Sequence, residues 1–202
     1  MPERKPTVIA QARDRYGARM AIVPDDKNWT WVLEQPCPDC GFEAATVDVT
    51  RLGDLIRANA AEWPGLLAHE HARLRPTGDQ WSALEYGCHV RDVYGIFDER
   101  LRLMLETDEP HFENWDQDAT AIADRYDAQD PALVGEQLLA AAEQIATRWD
   151  SVGDDQWERR GYRSDGSEFT VASIGRYLIH DPVHHVDDVN RGNAILADSD
   201  LD

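Results

Sequence analysis

The chain has 202 residues, enough for one well-packed domain and too few for two full ones. Its 39 acidic and 20 basic residues give a formal net charge of −19, which argues against a nucleic-acid surface and against docking on anionic lipid. No apolar run approaches the ~20 residues of a membrane span, and the opening MPERKPTVIAQARDRYG lacks a signal-peptide core. Three cysteines cannot all pair within one chain, which suits a reducing compartment, so a soluble cytoplasmic protein is expected.

Residues 1–35 read as an irregular or partly extended lead-in. Its apolar runs are Met20-Ala-Ile-Val23 and Trp29-Thr-Trp-Val-Leu33, with turn chemistry at Pro24-Asp-Asp-Lys-Asn28 between them. Cys37-Pro-Asp-Cys40-Gly41 is a knuckle able to offer two thiolates to zinc. A structural zinc usually takes four ligands, and the candidates to complete the set are Cys88, His69 and His71. The alternative is a plain tight turn leading into the first helix. A redox role is disfavoured, because the surrounding βαβ pattern is missing.

The first helix is expected over 51–73, from Leu52, Leu55, Ile56, Ala60, Trp63, Leu66 and Leu67, with Thr50 as N-cap and Pro64 as a kink. His69 and His71 near its end are read as solvated. The second helix is expected over 81–106, on the stripe Tyr86, Val90, Val93, Phe97, Leu101 and Met104. His89 flanks that stripe. Residues 109–130 form a long acidic connection with a short helix around 118–126, of the kind that often covers a site. Pro131 opens a third helix over 131–152, capped by Asp130. Ser164-Asp-Gly-Ser167 is the turn of a short hairpin, and the last helix starts near Thr170. Several of the seven tryptophans are expected to wall a core or a pocket. Four long amphipathic helices with a long crossover between the second and third make an all-α four-helix bundle.

The last helix carries the densest chemistry, GRYLIHDPVHHVDDV from Gly175 to Val189. Two pairs at i, i+4 spacing overlap in it: His180 with His184, and Asp181 with His185. Either pair is a two-ligand clamp for a divalent metal, with a third ligand from elsewhere. With the apolar stripe centred near 10°, His185 falls at about −40° and Asp181 at about −80°, beside it. His180 and His184 fall at about 180° and −140°, facing solvent or another chain. Pro182 interrupts the backbone hydrogen bonding and weakens the wheel. The bland alternative is a solvated, polar last helix.

Trp81-Ser-Ala-Leu-Glu85-Tyr-Gly-Cys-His89-Val resembles the second-helix motif of the DinB-like superfamily, in which a Trp-Ser opening and a Glu precede a metal-binding His. The last helix resembles the superfamily's closing motif of a ligand, a His four residues on, and a polar–aliphatic pair. The resemblance covers about 51–191 and leaves the cysteine-bearing lead-in outside it; the bundle domain is expected over 51–202, behind an N-terminal extension, 1–50, that packs on it. Anchored on Asp188-Val189, it implies a metal held by His89, Asp181 and His185, as in the branch of mycothiol-dependent maleylpyruvate isomerases. Anchored on the literal HxxxH, it implies His180 and His184 instead. That ligand set suits zinc or nickel. The resemblance further implies a homodimer and a thiol-dependent S-transferase, isomerase or hydrolase acting on a small molecule, with a low-molecular-weight thiol as co-substrate. The competing classes are a non-catalytic metal- or ligand-binding stress protein and a structural module with zinc at Cys37 and Cys40.

Overall fold

A computed structural model describes residues 11–13, 19–21 and 28–199. The lead-in calls on 1–10 and on the turn at 24–27 lie outside the described residues. Strands β1 (Gln11–Arg13) and β2 (Arg19–Ala21) pair antiparallel.

The expected first helix is two helices, α1 (Leu52–Ala60) and α2 (Trp63–Leu67). Pro64 has no N–H to donate, so it is accommodated in the first turn of a new helix rather than inside a long one. Thr50 is not the cap: the Asp48 carboxylate accepts from the Thr50 amide at the 3-10 turn that leads into α1. Helix ends at Leu67, short of 73, because the chain must turn to bring Arg75 under the start of α3 (Ala83–Glu106). There Arg75 forms a buried, two-pronged pair with Glu85, at 2.6 and 2.9 Å. Ser82 and Glu85 close a capping box at the same point, so Glu85 is committed to structure.

The crossover holds β3 (His111–Phe112), α4 (Gln117–Ala123) and a 3-10 turn. Asp130 caps α5 (Pro131–Asp150) as expected, accepting from the amides of Ala132 and Leu133. The expected hairpin is β4 (Arg160–Arg163) and β5 (Glu168–Thr170), with Gly166 at φ 91° in the turn. The sequence reading did not foresee β3 joining this hairpin as a third, parallel strand beside β4. Helix α6 (Val171–Ser199) runs on through Pro182.

The helices form a closed ring: α1 packs on α5, α5 on α3, α3 on α6, and α6 on α1. The core they enclose includes Leu52, Ile56, Trp63, Leu84, Tyr94, Leu101, Leu138, Ile145 and Ile174. Each such side chain contributes roughly 1.5–3 kcal/mol by leaving water. Gly175 lets α6 close in: a Cβ there would sit 2.3 Å from Leu52 and 2.8 Å from the Trp149 ring. The architecture is thus the all-α bundle expected, with a minor sheet at one end. Among the described residues no helix is long and apolar enough to cross a membrane.

Candidate metal centre

His89 is the seventh residue of α3, placed by the capping box that fixes where that helix starts. It is almost wholly buried, and its Nε2 lies 3.3 and 3.4 Å from the two Asp181 carboxylate oxygens on α6. One turn later, His185 Nε2 is 3.7 Å from Asp181 Oδ1. One donor atom from each of the three residues lies within 4.8 Å of the others. The three side chains thus converge from two helices.

The set fits a divalent cation on its own chemistry. Two imidazoles and one carboxylate are borderline donors suited to zinc or nickel. Among the described residues, His89 Nδ1 is buried without a hydrogen-bond partner, and Asp181 Oδ1 is buried with only the ion-pair contacts to His89 and His185, a state that costs free energy unless something satisfies them. Burial pushes the Asp181 carboxyl up, but the His89 and His185 imidazoles outweigh it and hold it well below the usual carboxylate range. His185 is also oriented from behind, since its Nδ1 lies 3.0 Å from Asp188 Oδ2. That contact leaves Nε2 to face Asp181, the usual way a carboxylate fixes a ligating imidazole.

Aromatic rings close the centre from the side. Trp115, in the crossover, stacks on His89 with planes 11° apart and centroids 5.2 Å apart. Trp81 meets the same ring edge-on, and Tyr86 lies over His185. The expectation that the long connection covers a site is met by Trp115. A cavity of about 590 Å³ opens on Asp181, between Trp29, Trp115, Tyr177 and the α3 residues Val93 and Phe97. Arg100 and Arg163 line it. Arg163 is neutralised by Asp165 at 2.8 Å, which is held down to about 2 by that guanidinium. Arg100 has no such partner among the described residues: it donates to the Glu113 carbonyl and lies over the Phe97 and Phe112 rings. Burial, then Arg163, lower it to about 10. Neither arginine stood out in the sequence, because a helix-face arginine and a strand-end arginine are ordinary surface residues by pattern.

His180 and His184 are a correction. They do not face solvent: they are 3% and 8% exposed, under the Trp29 ring. The wheel assigns the face opposite the bundle core to solvent, but the lead-in folds over that face. Nor do they join His89. Their partners are Cys37 and Cys40, and one donor atom from each of these four residues lies within 4.8 Å of the others. His69 and His71, stacked edge-on against each other, and Cys88, directed at the Tyr126 carbonyl, take no part in that group.

The profile of the DinB superfamily matches residues 9–189, so the match takes in the lead-in as well as the bundle. YfiT from Bacillus subtilis, described as a probable metal-dependent hydrolase with an unusual four-helix bundle topology, superposes with a TM-score of 0.64 at 16% identity. That superposition covers 74% of this chain and 86% of YfiT. A mycothiol-dependent maleylpyruvate isomerase superposes with a TM-score of 0.54 at 13% identity, covering 71% of this chain and 62% of the isomerase. The chain therefore spans less than two-thirds of the isomerase's length. At these identities the likeness is one of fold. No curated protein matches the chain.

Proposed function

The chain belongs to the DinB superfamily, and from that premise we propose that it is a divalent-metal-dependent enzyme working on a small molecule, with a low-molecular-weight thiol as co-substrate. The observation that carries this reading is the convergence of His89, Asp181 and His185 into one cluster, whose Asp181 lines a 590 Å³ cavity. Three protein ligands with room beside them are the arrangement of a catalytic rather than a structural site. When bound, zinc or nickel supplies Lewis acidity toward a thiol or water. His89 and His185 would hold the cation, and Asp181 would contribute the one negative charge. Asp188 keeps His185 in the ligating tautomer. Trp115 sheds water from the His89 side. Arg100, which has no carboxylate partner among the described residues, would orient an anionic group of the substrate entering the cavity. Thiol transfer, isomerisation and hydrolysis all fit this arrangement.

Metal content after identical dialysis tests the ligands, and turnover with a panel of thiols that includes mycothiol tests the reaction. His89→Ala and His185→Ala should each lose one equivalent of metal and any thiol-dependent turnover, with the fold retained. Asp181→Ala should bind more weakly. A full metal complement in both histidine variants would overturn the ligand set. Metal bound in the parent without turnover on any thiol would favour a non-catalytic binding protein.

A further inference from the structure

We propose a second metal site in this chain, a closed, structural zinc centre made by Cys37, Cys40, His180 and His184, which clips the lead-in to α6. It stands independently of the catalytic reading above. The knuckle is built for the task. The Cys37 amide donates to the Phe42 carbonyl at 2.8 Å, and the Gly41 amide to the Cys37 carbonyl at 2.9 Å. Gly41 takes φ 73°, a left-handed conformation that a side chain would resist. The turn so formed puts both thiols on one side, and neither is in a disulfide.

The spacing across the gap agrees. A tetrahedral zinc with Zn–S of about 2.3 Å and Zn–N of about 2.0–2.1 Å sets a sulfur–nitrogen edge of about 3.6 Å. Cys37 Sγ and His184 Nδ1 are 3.6 Å apart. His180 is almost wholly buried, yet its Nε2 has no hydrogen-bond partner among the described residues. Cys37 is 1% exposed, so this is an interior cluster with an unmet polar demand. Two thiolates and two neutral imidazoles select zinc over magnesium, calcium or manganese, and four protein ligands leave no open position. Binding releases the two thiol protons to solvent, and the two thiolate charges offset the cation.

The supports around the four ligands follow the same logic. His184 Nε2 lies 3.5 Å from Asp188 Oδ2, so Nδ1 is the nitrogen turned to Cys37. Arg191 donates to the Asp39 carbonyl at 3.0 Å and fastens the knuckle's tip to α6. Trp29 rests on both histidines and also lines the cavity beside Asp181. Zinc at the knuckle therefore holds one wall of that cavity in place.

Cobalt(II) is the probe, added to the full chain after chelation under reducing conditions. The parent should take up about two equivalents per chain and show a thiolate-to-cobalt charge-transfer band with the intense visible bands of a tetrahedral site. Cys37→Ser and Cys40→Ser should lose that band and one equivalent. His89→Ala should keep the band and lose the other equivalent, which separates this site from the first. The parent supplies a second readout that does not depend on a cysteine variant folding, alkylation of Cys37 and Cys40 mapped by mass spectrometry with and without zinc. Zinc should protect both. A cobalt-loaded parent without the thiolate band, or equal alkylation with and without zinc, overturns the proposal.

Discussion

The Asp188 carboxylate stands between two imidazoles. One of its oxygens lies 3.0 Å from His185 Nδ1 and 3.5 Å from His184 Nε2, while the other takes a 2.6 Å contact from Arg191. His184 and His185 are sequence neighbours whose rings serve different clusters, and a single acid sets the tautomer of both. Burial pushes this carboxyl up, but His185, then His184 and Arg191, hold it below the usual range. Asp188→Asn keeps the volume and removes the charge. Loss of an outer partner of this kind typically weakens metal binding about 10–100-fold. The expected outcome is weaker binding at both clusters, read by competition with a chromophoric chelator. Weakening at one cluster alone would show that the carboxylate serves a single imidazole. In the sequence Asp188 was visible only as the polar member of a motif. Its reach to two rings depends on where the helix backbone puts it, and spacing alone does not give that.

At the level of elements, α3 and α5 are tied by more than apolar packing. Asp98 on α3 accepts from Arg148 at 3.0 Å and from Gln144 at 2.7 Å, both on α5, and its side chain is 7% exposed. Burial raises this carboxyl, but the Arg148 and Gln144 hydrogen bonds outweigh it and lower it from 3.8. A carboxyl lowered in the folded state adds stability that is full above its unfolded value. That contribution disappears as pH drops through the folded-state value. Urea melts of the parent and Asp98→Asn should therefore differ most near neutrality and converge in acid; a gap that stayed constant into acid would refute the coupling. The helices themselves were legible, because each carries a 3–4 stripe with a cap or a proline at its start. Their ends were less so. Pro64 was read as a kink and is a helix start. Thr50 was read as a cap that Asp48 supplies one turn earlier. The strand β3 was illegible, since two residues pairing with a distant hairpin leave no periodicity to see.

For the molecule as a whole, the cluster of His89, Asp181 and His185 was legible because all three residues sit beside apolar stripes, which point inward in any bundle. The burial of His180 and His184 was not, because it depends on a segment that has no stripe of its own. That segment, residues 28–50, has short 3-10 turns and few buried side chains, Val32, Cys37 and Ala44 among them. It packs mainly on α6, with lesser contacts to α1 and α5. Amide exchange should thus protect α3 and α5 most, and removal of metal by a chelator should strip protection from 28–50 while leaving those helices nearly unchanged. Uniform loss across the chain would mean the lead-in is integral to the cooperative unit. The separation between the two halves of the knuckle's cluster has a temporal meaning as well. Cys37 and His184 are 147 residues apart, with all of α1 to α5 between them. At roughly 5–20 residues per second, a ribosome leaves the thiols waiting about 7–30 seconds before their histidines exist. During that interval the knuckle has no imidazoles to meet, and the surface it will occupy has not been made. The earliest-made cysteines of the chain are thereby among the last groups to find their place.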